Sequence, residues 1–302
     1  MARDMIDTLS DVLRSVQLAN AVFVVIDAAA PRNPASHADG AAAPQPMPGV
    51  EHVIEYHVVT EGACWGGLPG ELSIELEAGD VLVFPHGDAQ VSWRRGGQEK
   101  TRIICGFLGC NARPFSPLLA TLPRVMHLPG AGQADSVRRR LVELGVAESV
   151  GNEAGSDCLL ARLGELLFAE VVRQHVAAVP QESVGWFAGL RDRGIGQALQ
   201  KLHERPAHPW SLEELAKEAG MSRSRLAERF AHFVGVPPMQ YLAQWRIQLA
   251  ASLLRSSKSS LAEIADRVGY GSEAALSRAF KRCLGVSPSP YRRGQHVWQK
   301  AS

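Results

Sequence analysis

The chain has 302 residues, more than one typical core accommodates, so we expect two domains. Its 46% hydrophobic and 21% charged residues are ordinary for a globular protein, and no apolar run approaches the roughly 20 residues that span a bilayer. The net charge of +1 conceals an asymmetry. Residues 1–185 carry 14 basic and 22 acidic side chains, whereas residues 186–302 carry 18 and 9. A polyanionic partner is therefore expected for the basic half only.

The first part of the chain is predicted to be rich in β-strands. The N-terminus is amphipathic and acidic rather than signal-like, which predicts a helix at 5–17 and a cytoplasmic protein. A strand is predicted at 21–28, and a loop rich in Pro, Ala and Gly at 29–49. From Glu51 to Leu108, short apolar runs alternate with Gly and Pro at even spacing, a pattern typical of a sandwich or small barrel.

After Pro114 the pattern becomes helical, with a short helix in SPLLATLP and longer ones at Asp135–Leu144 and Asp157–Val176. The last of these carries an apolar stripe formed by Leu159, Leu163, Leu166, Leu167 and Val171. Such a stripe can pack on its own domain or on a second copy of the chain, and the sequence leaves both alternatives open. The segment VPQESVGWFAGLRD is the predicted domain boundary.

An internal duplication follows, in a region that is predicted to be entirely helical from Asp192 onward. Four residues recur 49 positions later, namely Ser211, Leu212, Ala216 and Gly220, as Ser260, Leu261, Ala265 and Gly269. Four more recur 50 positions later, namely Phe230, Gly235, Pro238 and Tyr241, as Phe280, Gly285, Pro288 and Tyr291. So many matches at almost one offset are not expected by chance, and they predict two copies of one structural unit.

Each copy predicts a helix, a tight glycine turn and a second helix. Ser211 and Ser260 are placed to cap the first helices, and a Glu three residues later in each copy would complete a capping box. Gly220 and Gly269 can adopt the positive φ that ends a helix at a sharp turn. This pattern is the signature of a helix-turn-helix.

One long helix, Pro238–Leu254, is predicted between the two motifs at 211–233 and 260–284. Its apolar stripe is formed by Tyr241, Leu242, Trp245, Leu249 and Leu253. Successive major grooves on one face of DNA lie roughly 34 Å apart. A rigid connector would therefore let one monomer contact two adjacent grooves.

The outward face of each second helix is the predicted DNA-reading surface, because Arg can bond guanine in bidentate fashion and Glu can accept from cytosine. The first face offers Ser222, Arg223, Ser224, Arg225 and Glu228, and the second offers Ser272, Glu273, Ala274, Ser277 and Arg278. Lys281 and Arg282 lie further along the second helix and are predicted to contact phosphate. The alternative for each residue is a solvated polar surface.

The segment Ile264–Arg293, IADRVGYGSEAALSRAFKRCLGVSPSPYRR, resembles the C-terminal signature of the AraC/XylS family of bacterial transcription regulators. The resemblance implies two helix-turn-helix units joined by a linker helix, double-stranded promoter DNA and RNA polymerase as partners, and a transcription activator. It places base contacts near Ser224, Arg225 and Glu228, and near Glu273, Ala274 and Ser277.

Three segments of the first half, EYHVVTEGACW, LEAGDVLVFPHGDAQVSW and TRIICGF, resemble the cupin-like sensor domain of one branch of this family. The expected fold class is therefore α+β, with a cupin-like β-barrel and accessory helices at 1–185, strands mainly at 21–108 and helices at 133–178. An all-α DNA-binding domain is expected at 186–302. We expect the first domain to form a homodimer and to respond to a small-molecule effector or a stress signal.

Metal binding and catalysis are not expected. Cupin enzymes bind a metal through a His-x-His pair, a carboxylate and a further His, and this set is missing. His57 stands alone on its strand, His86 lies in the PHGD turn, and Gln90 occupies a position where this branch often has His. We predict no metal, no cofactor and no enzyme activity. A His57/His86 metal site, and a cupin enzyme with a DNA-binding tail, are the open alternatives.

The cysteines raise a further alternative. Cys64 and Cys105 fall on predicted strands that could lie close together, so thiol-based redox sensing is a second hypothesis for the signal. A buried Cys, however, usually acts as a small hydrophobic residue. The five cysteines contain no CxxC pair, so neither a structural zinc site nor a disulfide framework is expected. A third possibility is a constitutive DNA-binding protein whose first half only dimerises.

Overall fold

The computed structural model describes residues 8–14, 18–27, 50, 52–68, 70–87, 92–95, 101–110, 115–130, 137–151, 153–180 and 183–294. The chain divides into two compact units. The sheet unit comprises Leu18–Asn111 and Leu122–Ala177. The helical unit comprises Met1–Gln17, Ala112–Thr121 and Ala178–Ser302. The predicted loop at 29–49 and Gln90 lie outside the described residues.

The sheet unit contains two antiparallel sheets. Its described strands are β1 (Ala19–Asp27), β2 (His52–Glu61), β3 (Ala63–Gly67), β4 (Ile74–Glu77), β5 (Val81–Phe84), β6 (Ser92–Arg95), β7 (Arg102–Cys110) and β8 (Met126–Leu128). The strand order is β1-β7-β2-β5-β8 in one sheet and β4-β3-β6 in the other. The predicted strands are confirmed, but β8 was not predicted, because three residues are too few to show an alternating pattern.

Both sheets contribute to one apolar core, formed by Val59, Cys64, Leu68, Leu76, Leu82, Phe84, Ile103, Cys105 and Phe107. Side chains alternate between the two faces of a strand, so residues 55, 57 and 59 of β2 share one face. Register then brings His57 opposite Cys105 on β7. This arrangement places both candidate signal residues of β2 and β7 inside the sheet unit.

Two helices complete the sheet unit, α3 (Val137–Gly151) and α4 (Ser156–Ala178). The predicted stripe of α4 divides between two surroundings. Leu167 and Val171 are buried, whereas Leu159 and Leu166 are each more than half exposed. One face of α4 therefore packs within its own domain, and another face exposes leucines to solvent.

The helical unit contains residues 8–14 (α1) and the helices α2 (Pro117–Thr121), α5 (Trp186–Arg191), α6 (Arg193–Glu204), α7 (Leu212–Glu218), α8 (Arg223–Val234), α9 (Pro238–Ser256), α10 (Leu261–Val268), α11 (Glu273–Leu284) and α12 (Pro288–Arg292). Every described element after Asp192 is helical, as predicted. None of the helices in the described ranges is long and apolar enough to cross a bilayer.

The helical unit includes two segments from the first half of the chain, whereas the sequence predicted domains at 1–185 and 186–302. The reason for one of them is visible in its contacts. Leu118 of α2 is completely buried, and the backbone N–H of Phe115 donates to Oε1 of Gln248 on α9 at 3.1 Å. A sequence boundary drawn at one point cannot represent a segment that is inserted in this way.

Candidate nucleic-acid interface

The first helices of the two motifs begin at serine caps, as predicted. Ser211 Oγ accepts from the backbone N–H of Glu214 at 3.1 Å, and Ser260 Oγ accepts from that of Glu263 at 3.2 Å. Only the second copy has the reciprocal bond, from the Ser260 N–H to Glu263 Oε2 at 2.7 Å. The capping box predicted in the first copy is wrong, because Glu214 Oε1 instead lies 2.8 Å from Nε2 of His208.

Both glycine turns have the predicted backbone conformation, with φ of 64° at Gly220 and 84° at Gly269. The helices that follow, α8 and α11, each bury two apolar side chains completely. The inward residues are Leu226 and Phe230 on α8, and Leu276 and Phe280 on α11. Each motif therefore consists of two crossed helices whose second member presents its other face outward.

The first reading surface is exposed along the start of α8, where Ser222, Arg223, Ser224, Arg225 and Glu228 are all exposed. Ser222 Oγ caps the helix by accepting from the Arg225 N–H at 3.3 Å. The Arg223 guanidinium donates to Glu213 Oε1 at 2.6 Å, which lowers the pKa of that carboxyl. Arg225 is exposed and forms no ion pair within the described part of the chain, so its guanidinium is available to a ligand, unlike that of Arg223.

The second reading surface has different charges. Ser272 Oγ caps α11 by accepting from the Ala275 N–H at 3.1 Å, and Ser277 is half-buried. The remaining predicted contacts, Glu273, Ala274, Arg278, Lys281 and Arg282, are exposed. At the 50-residue offset, the two arginines of the first turn of α8 correspond to Glu273 and Ala275. The exposed residues at the start of the two helices therefore differ in charge.

Helix α9 joins the motifs and packs against both. Its 19 residues span roughly 28 Å. The predicted residues Tyr241, Leu242 and Trp245 are buried on the side of the first motif. The sequence analysis missed a second buried face, whose residues Ile247, Ala250, Ala251 and Leu254 pack with α10 and α11. The run of small residues at 250–251 could have indicated this close helix contact.

A second connection fixes the two motifs to each other. The loop before α7 receives two bonds from α9, since Arg246 donates to the carbonyls of Pro206 at 2.7 Å and His208 at 2.8 Å. The turn of the second motif packs on the same loop, where a Cβ placed on Gly269 would lie 2.6 Å from the Cα of Ala207. The separation of α8 and α11 therefore depends on this loop as well as on α9.

A buried polar chain stabilises the first motif. Trp186 Nε1–H donates to the Tyr241 hydroxyl at 3.1 Å, and that oxygen lies 2.8 Å from Nε2 of His203. The His203 ring also lies 4.2 Å from the Trp245 ring, centroid to centroid. Burial lowers the pKa of His203 to about 3. The imidazole is therefore neutral at physiological pH, with its Nε2 at hydrogen-bond distance from the Tyr241 hydroxyl.

We expect the helical unit to lose stability on acidification because of His203. Its folded pKa lies below the ordinary value of 6.5, so its contribution is complete above pH 6.5 and decreases as the pH falls towards about 3. Between pH 7 and pH 5 this one group should reduce the free energy of unfolding by about 2 kcal/mol. His203→Phe removes the titration, so the stability difference between wild type and variant should shrink by that amount in denaturant titrations. A difference that stays constant from pH 7 to pH 5 would contradict the assignment.

The candidate signal residues in the sheet unit lie at two different places. His57 is buried, with Nδ1 at 2.9 Å from Cys105 Sγ and Nε2 at 2.8 Å from Glu55 Oε1. His86 is half-buried, and its Nε2 lies 2.9 Å from the carbonyl oxygen of Leu122. Sequence reasoning missed Glu55, although its position two residues before His57 places both on one strand face. Within the described ranges, no group of three or more His, Cys, Asp and Glu side chains is arranged to hold a metal.

The two candidate thiols are both buried. Burial, with a smaller contribution from Asp80, raises the pKa of Cys64 to about 11. Burial and the Glu55 carboxylate raise the pKa of Cys105 to about 12. Both thiols are therefore protonated at neutral pH, and since the thiolate is the reactive form, these surroundings disfavour oxidant sensing. The geometry accounts for Cys105 as a packed core residue in hydrogen-bond contact with His57.

Known proteins resemble the chain along almost its whole length. A cupin family model matches residues 7–177, and a helix-turn-helix domain model matches residues 215–294. A putative AraC-like transcription regulator of Streptomyces antibioticus is 44% identical over 266 residues, which cover 80% of this chain and 87% of that protein. The RCS-specific HTH-type transcriptional activator RclR of Escherichia coli is 31% identical, with 80% and 84% covered.

A solved structure is similar to the C-terminal part of the chain. The DNA-binding domain of AdpA, determined in complex with a target DNA, is 35% identical. The match covers 34% of this chain and 92% of that domain, with a TM-score of 0.33.

Proposed function

This chain belongs to the family of AraC-like transcription regulators with an N-terminal cupin domain, and on that premise we propose how it reads DNA and is controlled. The protein is a DNA-binding transcription regulator. We propose no catalytic role for the cupin domain, because the relatives of the chain are transcription regulators.

One observation supports DNA reading above the others: two helix-turn-helix motifs, held by one linker helix, expose polar and basic surfaces on their second helices. Arg225 and Glu228 on α8 would contact bases, together with Ser222, Arg223 and Ser224. On α11, the base contacts would be Glu273, Ala274, Ser277 and Arg278. Lys281 and Arg282 would contact phosphate. Arg223 would have to exchange Glu213 for DNA, so Arg225 is the stronger candidate.

Arg225→Ala is expected to weaken binding to a duplex selected by this protein from random sequences by roughly 1–3 kcal/mol. Binding to random duplex should change far less, because a bidentate contact to guanine exists only at the selected site. Equilibrium titrations by fluorescence anisotropy on both duplexes would measure the two affinities. An unchanged ratio between selected and random duplex would remove Arg225 from the reading surface.

Lys281→Ala provides the matched comparison, since it removes one exposed positive charge further along α11. A phosphate contact predicts that its affinity falls about equally on both duplexes and that the salt dependence decreases by about one ion. The two variants therefore separate base reading from backbone binding within the same protein.

The cupin domain would receive the signal, and the regulator would act as an activator that contacts RNA polymerase. We favour a small-molecule effector over thiol oxidation, because the surroundings of Cys64 and Cys105 keep both thiols protonated. A signal can shift the regulator only by binding one of its states more tightly than the other.

A homodimer is supported by apolar side chains on the outer surfaces of α3 and α4. Val137 and Leu144 on α3, and Leu159 and Leu166 on α4, are each more than half exposed. Both pairs are seven residues apart, so each pair lies on one side of its helix. Exposed leucines at this spacing are typical of helices that pack against a second copy.

The double substitution Leu159→Ser and Leu166→Ser is expected to convert a dimer into a monomer of 32.6 kDa. The dimer should lose apolar burial at both positions of α4, whereas the folded monomer loses only exposed methyl groups. Sedimentation velocity over a micromolar concentration series would measure the mass. Leu72→Ser is the control, because Leu72 is 94% exposed and lies outside these helices. Wild-type protein that sediments as a monomer throughout the series would contradict the dimer.

A further inference from the structure

An internal segment of the cupin-matched region, Ala112–Thr121, belongs to the helical unit. The chain leaves the sheet unit after Asn111, contributes Ala112–Thr121 to the helical unit, and returns at Leu122. We call Ala112–Thr121 the strap. It connects β7 with β8, two strands of the five-stranded sheet. The cupin family model extends over residues 7–177, so the strap is part of that domain in sequence.

The strap is anchored by specific contacts. The Phe115 N–H donates to Oε1 of Gln248 at 3.1 Å, and Gln248 is completely buried in the middle of α9. The Phe115 ring meets the Tyr241 ring edge to face, with centroids 5.3 Å apart. Leu118 and Leu119 are buried, and α2 packs against α5. A hydrogen bond between a backbone N–H and a buried amide oxygen depends on distance and direction, so this bond favours one position of Phe115 on α9.

The residue under the strap belongs to the core of the first DNA-binding motif. Tyr241 accepts from Trp186 and pairs with His203, and its ring packs edge to face against Phe230 at 5.7 Å. Phe230 is completely buried on the inner face of α8, whose opposite face carries Arg225. Only two aromatic contacts therefore separate the strap from the first reading helix.

From these contacts we infer that the strap couples the cupin sheet to the first reading helix. A displacement of β7 or β8 shifts Phe115 against Gln248 and Tyr241. Tyr241 transmits this shift to Phe230 and so to α8. By linkage, DNA binding must act back on the sheet with the same coupling free energy. This inference rests on the proposed DNA-binding function, but it adds a route between the two units of the chain.

Hydrogen exchange measured on the full chain tests the route without a known effector. The probe is a duplex selected by the wild-type protein from random sequences. DNA should slow exchange in α8 and α11, and it should also change exchange in β7 and β8 of the sheet. In Phe115→Ala and in Gln248→Leu, DNA should still protect α8 and α11, but the change in β7 and β8 should be lost. Phe115→Leu, which keeps an apolar side chain, is the second variant if truncation at 115 prevents folding.

Leu284→Ala is the matched control, because it shortens a half-buried apolar residue of the second motif, away from the strap. It should retain the response of β7 and β8. A response that persists unchanged in the strap variants would overturn the inference, and so would a wild-type sheet that does not respond to bound DNA. Wild-type protein that selects no duplex at all would overturn the proposed function, and the inference with it.

Discussion

Replacing Gly269 by alanine is expected to destabilise the helical unit by about 2–5 kcal/mol and to abolish preference for the selected duplex. Two effects add at this turn. A non-glycine residue at φ of 84° is strained, and the new Cβ would lie within 3 Å of three backbone atoms of Ala207. Backbone atoms cannot rotate away as side chains do, so the loop that positions the second motif must move. Thermal or urea unfolding and anisotropy titration would measure the two losses.

The duplication supplies the control for this prediction. Gly220 occupies the same position in the first motif, with φ of 64°, but a Cβ there would meet nothing within 4 Å. Gly220→Ala should therefore reduce the free energy of unfolding only by the cost of a left-handed backbone for alanine, about 1–2 kcal/mol. The variant should still discriminate between the selected and the random duplex. Equal losses for the two variants would show that the contact with Ala207 has no role in fixing the motifs.

Asp80→Ala is expected to destabilise the sheet unit by about 3–5 kcal/mol. Asp80 follows Gly79 in the turn between β4 and β5, and its carboxylate is almost fully buried. One oxygen accepts from the Gly130 N–H at 2.7 Å, while the other accepts from the Glu77 N–H at 3.1 Å and lies 2.9 Å from His127 Nε2. Alanine would leave these donors unsatisfied at the point where β8 joins the sheet. Unfolding followed by circular dichroism would measure the loss.

Two further substitutions define the cause. Asp80→Asn keeps one accepting oxygen, so its loss of stability should fall between those of wild type and Asp80→Ala. Asp157→Ala removes an exposed carboxylate from the first turn of α4 and should change stability by no more than about 0.5 kcal/mol. If Asp80→Ala were no more harmful than Asp157→Ala, the turn would not depend on its buried carboxylate.

Local patterns in the sequence were sufficient to predict most of the elements. The strands at 52–61 and 102–110 show alternation or continuous apolar runs, and the two motifs show caps, glycine turns and a repeat at a nearly constant offset. These signals lie within a few residues of the features that they specify. The same holds for the linker helix, which begins at Pro238 as predicted.

The features that the sequence could not predict are the partners of particular side chains, some of them nearby and some distant in the chain. Glu214 pairs with His208 rather than with its own cap, and Arg223 is engaged by Glu213. His57 meets Cys105 across 48 positions, and Phe115 meets Gln248 across 133. Strand register and the packing position of an inserted segment cannot be predicted from a single sequence. These contacts are therefore visible only in the three-dimensional structure.

The course of the chain restricts how such a protein can be recombined. Four crossings connect the two units, after residues 17, 111, 121 and 177. A chimera joined at one point near residue 180 would combine the helices of one parent with the Phe115 segment of another. Gln248 and Tyr241 of one parent would then contact a segment from the other parent. A chimera that exchanges sensor domains therefore has to take residues 112–121 from the parent that supplies the DNA-reading helices. This segment must be inserted between β7 and β8 of the other parent's sheet.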